Sequence, residues 1–393
     1  MEHISNKIKG LSTKYFNEIK EIRKQLHENP ELSFEEFESS KLIQTKLSSY
    51  GISYKSGFVK TGIVAKIEGK NPKKKVLALR ADMDALPVSE NESHSICSKN
   101  KGVMHACGHD MHMASLLGTA KILQEMKDEW EGTVLLIFQP GEELLPGGAR
   151  MMMEEGALIP EPDLIMAQHV LPDMEVGHVG FREGMYMASG DEIYLKIKGK
   201  GGHGAMPHKC DDTVLIASHI VVALQQIVSR HADIRIPTVL SFGKMIADGA
   251  TNIIPQEVNL AGTFRTMDEQ WRAKAKQLIT DIAQNTAKGM GAECEVDIKH
   301  GYPFLVNSID HTRTAKNAAI QYLNDESVED MDIRMTTEDF GFYSQKYPSC
   351  FYRFGVKSEK SGGLHTSNFQ ANDQSLETSM GTMAYLAIDF LNQ

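Results

Sequence analysis

The chain has 393 residues, 42 Lys and Arg against 52 Asp and Glu, five Cys and a formal net charge of −10. At roughly 100 to 200 residues per domain, two domains are expected, and 41% hydrophobic with 24% charged residues excludes a disordered or fibrous chain. The acidic balance argues against nucleic acid as a partner, and the opening MEHISNKIKG lacks a signal peptide's basic end and apolar stretch while the aliphatic runs are too short for a bilayer, so a cytoplasmic protein without a membrane partner is expected.

Ile8, Leu11, Tyr15, Ile19, Ile22 and Leu26 recur at three- and four-residue intervals, which predicts an amphipathic helix that Asn29-Pro30 ends. Residues 63–68 and 76–79 read as strands, and the second delivers Arg80-Ala-Asp-Met-Asp84 to its C-terminal end, where open α/β sheets bind ligands. A helix over 111–126 and a strand over 134–138 follow, the strand emptying into Gln139-Pro-Gly-Glu-Glu143. This rhythm predicts an α/β domain. Near residue 184 the pattern changes, because 192–198 alternates polar and apolar residues as a half-exposed strand does. The predicted elements there are a strand at 191–198, a helix at 211–229, strands at 238–246 and 256–265, a helix at 268–289 and a strand at 292–299. That βαββαβ order is ferredoxin-like and predicts an inserted α+β domain at 184–299. Residues 1–183 and 300–393 would form the first domain, with a helix near 311–323 and glycine-rich loops around 361–363. The inserted stretch holds 13 basic and 13 acidic residues, so the whole acidic excess falls on the first domain.

The densest chemical signal is His105-Ala-Cys-Gly-His-Asp-Met-His112, just ahead of a predicted helix. Cys107 and His109, two residues apart on a turn loosened by Gly108, can reach one ion, and thiolate and imidazole suit Zn²⁺ and related divalent ions; capping of the helix is the alternative. Glu142 and Glu143 emerge at a strand's C-terminal edge, where one carboxylate can hold a metal and the other remove a proton from a metal-activated water. His169 follows the apolar stretch 164–167, and His365 lies in Ser361-Gly-Gly-Leu-His-Thr366. Four segments therefore deliver Cys, His, Glu and His to one edge of one sheet. Of the five Cys, at 97, 107, 210, 294 and 350, only Cys107 is given a role, and a reducing compartment keeps the others as thiols.

These motifs, with Gly201-Gly-His-Gly-Ala-Met-Pro-His208, Thr251-Asn-Ile-Ile-Pro255, Gly262-Thr-Phe-Arg-Thr266 and Thr337-Glu-Asp-Phe340, run in order over nearly the whole chain. Together they resemble the M20 metallopeptidases, in particular the branch of N-acyl-amino-acid amidohydrolases that includes hippurate hydrolases, aminoacylases and auxin-conjugate hydrolases. The resemblance implies an α/β catalytic domain with a dinuclear metal site and a lid domain that makes a homodimer. It implies Cys107, His109, Glu143, His169 and His365 as ligands of two divalent ions, Zn²⁺ or Mn²⁺ with Co²⁺ possible, and Glu142 as general base. Many relatives hold a metal-binding His where this chain has Arg80, which leaves the coordination count and the roles of Asp82 and Asp110 open. His203, on a flexible glycine loop, would donate to the oxyanion, and Asn252 and Arg265 would bind the substrate carboxylate.

The function expected is cleavage of an N-acyl-amino acid to the free amino acid and a carboxylic acid. A carboxypeptidase or dipeptidase using the same site is the nearest alternative. A metal-free hydrolase with Cys107 as nucleophile and a binding protein with a structural zinc are the more distant ones.

Overall fold

The first helix forms over Glu2–Glu28 and buries Ile8, Leu11, Tyr15, Ile19, Ile22 and Leu26, the stripe that the spacing predicts. It belongs to the first of two compact units in the computed structural model, which describes residues 1–359 and 361–393. The first unit comprises Met1–Tyr186, Val306–Ile333 and Phe342–Gln393; the second comprises Met187–Leu305 and Arg334–Gly341.

An eight-stranded mixed sheet forms the centre of the first unit. Its order is Ser53–Phe58, Gly62–Glu68, Thr133–Gln139, Val76–Asp82, Leu164–Leu171, Ser349–Gly355, Val179–Phe181 and Val328–Asp330. Four neighbours, from Thr133–Gln139 to Ser349–Gly355, run parallel, so their C-terminal ends share one edge. The helices Glu2–Glu28, His109–Glu125 and Ser375–Asn392 pack against one another, and the first helix's Ile8 and Ile19 share a single core with Leu79, Leu116, Leu136 and Leu386. The helix Phe37–Ser49 packs against the first two strands.

The second unit has the order strand, helix, two strands, helix, strand, in a four-stranded antiparallel sheet ordered Thr238–Ala247, Glu257–Thr266, Ser189–Lys198, Glu293–His300. Every second residue from Ser189 to Ile197 is buried, as alternation requires of a sheet covered on one face. The helices Thr213–Gln226 and Glu269–Gly289 pack against each other and this sheet, and Asp212 and Asp268 cap them by accepting from the Leu215 and Trp271 amides. Among the described residues Thr213–His231 is the one helical stretch long and apolar enough to cross a membrane, but its Ile216, Ile220, Leu224 and Ile227 enter this unit's core.

Three details differ from the sequence reading. Residues 300–305 and 334–341, read as part of the first domain, group with the second unit, because the Ala188 amide donates to the Arg334 and Thr336 carbonyls and the Gly190 amide to that of Tyr302. The strand read as 76–79 continues to Asp82, since a fully buried strand accommodates Arg80 and Asp82 as a mutual ion pair, Nη1 to Oδ2 at 2.6 Å. His169 stands inside its strand, Leu164–Leu171, two residues before its end.

Candidate metal centre

The shared C-terminal edge of the parallel strands carries a dense group of side chains. The strand Val76–Asp82 leads into Asp84, Thr133–Gln139 leads into Glu142 and Glu143, and Leu164–Leu171 presents His169. Cys107 and His109 arrive at the start of the helix His109–Glu125. Between them Gly108 has φ of 77°, and a Cβ there would stand 2.7 Å from a Val170 methyl, so only glycine allows the chain to turn so close to the strand. His365 is itself a left-handed residue, φ 62°, fixed by its amide donating to the Ala106 carbonyl at 2.8 Å. A non-glycine residue held in that region stores strain of the kind that clusters at functional sites.

The structure brings all five predicted ligands and Glu142 together. They form three overlapping sets whose donor atoms lie within 4.8 Å of one another: Cys107, His109 and His169; Cys107, Glu143 and His365; and His109, Glu142 and Glu143. Both buried imidazoles are oriented from behind. His109 Nδ1 donates to the Asp84 carbonyl and His169 Nδ1 to the Val170 carbonyl, each at 2.8 Å. His169 Nε2 is thereby turned toward Cys107 Sγ, the arrangement that fixes the tautomer of metal-binding histidines.

A divalent ion fits this donor set. A thiolate and an imidazole on one tetrahedral ion stand about 3.6 Å apart given the usual bond lengths, and Cys107 Sγ lies 3.5 Å from His169 Nε2. His365 Nε2 is 3.1 Å from Glu143 Oε1. His109 Nε2 is buried with no hydrogen-bond partner among the described residues, a costly state unless a cation completes it.

The electrostatics agree. Burial, reinforced by Glu143 and Glu142, pushes the Cys107 thiol well up, so a thiolate here requires a cation. This disfavours Cys107 as a metal-free nucleophile, which would need a lowered pKa. Burial opposes charge on His109, but Asp82 and Asp84 outweigh it and raise its pKa to about 10. Burial, with Arg353 and His112, holds His169 well below the usual histidine range, which keeps its ring neutral and able to ligate.

Two residues left open by the sequence have defined contacts. Asp82 accepts from Arg80 and from His112 Nδ1, each at 2.6 Å, while His112 Nε2 accepts from the Val170 amide at 2.9 Å. With both nitrogens engaged, His112 is a neutral strut, and Arg80 neutralises Asp82. Asp110 turns away to Arg23 Nε at 2.9 Å and His27 Nδ1 at 2.8 Å, and their charge holds its carboxyl far below the usual range against burial. Sequence reasoning gave no role to Asp84, whose Oδ2 accepts from the Glu143 amide at 2.9 Å and the Ser33 hydroxyl at 2.6 Å. Its signal was its place in the Arg80–Pro87 motif.

The remaining candidates belong to the second unit. His203 and Asn252 are neighbours there: His203 pairs with Ile253 in a short ladder, and the Gly204 amide donates to the Asn252 carbonyl at 2.9 Å. Arg265 stands apart from them on Glu257–Thr266. Its Nε donates to Thr263 Oγ1 at 3.1 Å, and it pairs with no carboxylate among the described residues.

A mixed α/β sheet with thiol, imidazole and carboxylate donors converging at its C-terminal edge is the framework of a metal-dependent hydrolase. The chain belongs to peptidase family M20/M25/M40, whose model matches residues 78–389. It is 40% identical over 300 residues to an N-acyl-L-amino acid amidohydrolase of Geobacillus stearothermophilus, covering 76% of this chain and 80% of the relative. It is 37% identical over 400 residues to thermostable carboxypeptidase 2 of Saccharolobus solfataricus, covering 100% and 99%. Among solved structures it matches the Bacillus subtilis YXEP protein, a dinuclear metal binding peptidase of family M20, with a TM-score of 0.82 and 32% identity over 96% of this chain and 99% of that one.

Proposed function

We propose that this protein is a metal-dependent amidohydrolase that cleaves N-acyl-L-amino acids to the free amino acid and a carboxylic acid. The observation that carries the metal dependence is the pair of buried imidazoles whose Nδ1 atoms are tied to carbonyls and whose rings share donor sets with Cys107, Glu142 and Glu143. Cys107, His109, Glu143, His169 and His365 would hold two divalent ions, Zn²⁺ or Mn²⁺. Such ions, when bound, polarise a scissile carbonyl and acidify a water molecule. Glu142 takes the proton from that water at its carboxylate and returns it to the leaving nitrogen. His203 would donate to the developing oxyanion, and Arg265, whose guanidinium has no carboxylate partner of its own among the described residues, would take the substrate carboxylate together with Asn252.

The second unit would act as the lid and as the contact in a homodimer. Support for the dimer comes from the helix Thr213–Gln226, which exposes Val214, Leu215 and Val222, and from the ten-residue strand Thr238–Ala247 at the sheet edge, since an unpaired edge beside apolar side chains invites a partner.

A second reading, carboxypeptidase action by the same residues, is favoured by the full-length similarity to the carboxypeptidase. A hydrolysis screen separates the two, using metal-free protein reloaded with Zn²⁺, Mn²⁺ or Co²⁺ against N-acetyl- and N-benzoyl-amino acids and unblocked or benzyloxycarbonyl-blocked peptides. Turnover of the acyl-amino acids at least tenfold above the peptides is expected; the reverse preference assigns the protein to peptides.

A further inference from the structure

The loop that carries Glu142 and Glu143 is held from outside the sheet by a turn near the N-terminus, residues 31–36. Glu36 is fully buried and is no member of the metal-ligand group. Its Oε1 accepts from the Gly141 amide at 2.9 Å and the Phe34 amide at 2.8 Å, and its Oε2 accepts from the Thr61 hydroxyl at 2.6 Å. One residue beyond Glu142, the Glu143 amide is gripped by Asp84, which the same turn holds through Ser33. Glu142 therefore sits between two backbone amides, each donated to a buried carboxylate. The approach is close: Gly141 has φ of 61°, and a Cβ there would lie 2.3 Å from the Phe34 ring. Phe34 has φ of 65°, a strain that a turn serving only as a connection has no reason to keep.

A buried carboxylate is a costly way to join two loops. What it supplies is acceptor capacity for three donors at once. We propose that Glu36 is a positioning residue for the hydrolytic reaction, setting through the Gly141 amide where the Glu142 carboxylate and the Glu143 ligand stand. The inference rests on the reading of Glu142 as base and adds to it a residue more than 100 positions away in sequence that touches no reacting atom. Glu36 acts on the rate of proton transfer, which is sensitive to displacements near 1 Å, and leaves substrate affinity unchanged.

The test compares wild type, Glu36→Ala, Glu36→Gln and Glu36→Asp as full-length, Mn²⁺-loaded protein. Three quantities are read: kcat and KM on N-acetyl-L-methionine and on an unblocked dipeptide, bound metal per chain, and amide hydrogen exchange in peptides spanning residues 139–148. Glu36→Ala is expected to lower kcat at least tenfold with KM within threefold, to speed exchange at Gly141 at least tenfold, and to keep its metal. Glu36→Gln, which retains the Oε1 acceptor, is expected to restore kcat to within threefold. Glu36→Asp, whose oxygens are drawn back by one methylene, is expected to follow Glu36→Ala, and it carries the test should the alanine variant not fold. Wild-type kcat in both the Ala and Asp variants, or unchanged exchange at Gly141, overturns the inference alone. Failure of the wild type to hydrolyse either substrate, or full activity in Glu142→Ala, overturns the functional reading and the inference with it.

Discussion

Glu36 also makes a prediction about stability that requires no substrate. Burial pushes its pKa up from 4.5 to about 7, and nearby Asp84 adds to the rise against the hydrogen bond from Thr61. A group whose folded pKa lies above its unfolded value stabilises the fold most fully below the unfolded value, and that contribution is lost as pH rises through the folded one. The window is therefore pH 4.5 to 7. A difference of roughly 2.5 units, at 1.36 kcal/mol each, makes ionised Glu36 cost about 3 kcal/mol by pH 8. Glu36→Gln keeps the shape and removes the titration. Denaturant unfolding of both proteins at matched pH, from 5 to 8.5, should show the variant gaining on wild type across this window, to about 3 kcal/mol at pH 8, or a Tm gain of roughly 4–6 °C for a unit of this size. Parallel stability profiles for the two proteins would refute the reasoning.

Three further outcomes follow from the site. His109, at about 10, and the Cys107 thiol, pushed well up by burial and the flanking carboxylates, both carry protons at pH 7.5, so metal uptake should release roughly two protons per chain; calorimetry in buffers of different ionisation enthalpy measures this, and release near zero would contradict the ligand assignment. Gly148→Ala should cost more than about 3 kcal/mol in a denaturant titration, since a Cβ there would lie 1.7 Å from the Pro140 carbonyl oxygen and must displace the loop before Glu142. Arg265→Ala should raise KM for N-acyl-amino acids at least tenfold and leave the amides of substrates lacking a carboxylate unaffected; an equal effect on both would remove Arg265 from carboxylate binding.

The edge that gathers the candidate ligands was legible because its chemistry is concentrated in short motifs. Cys107 and His109 share one turn at the start of a helix, and Glu142 and Glu143 share one loop that follows a strand whose apolar run is unmistakable. The elements left unread are those whose burial erases periodicity. Ser349–Gly355 is buried at every position, Arg353 included, and Ser375–Asn392 buries 14 of its 18 residues, so neither shows a solvent face. Phe37–Ser49 failed for another reason: its buried face includes Ser39 and Ser40, which polarity scores as surface. Contacts such as Glu36 with Gly141 and Asp110 with Arg23 join residues about 90 to 105 positions apart, and no local pattern marks them. The same applies to Arg80, whose buried charge is intelligible only once Asp82 and Gln139 are seen around it.

In the proposed mechanism Glu142 moves the proton while its neighbours hold the metal. The most direct measurement is kcat for Glu142→Gln on an N-acyl-amino acid, taken with metal content by elemental analysis on the same sample. A positioned general base contributes on the order of 10² to 10⁴ in rate, so kcat should fall at least a hundredfold while metal per chain stays at the wild-type value. Turnover within tenfold of wild type, or loss of metal together with activity, would contradict it.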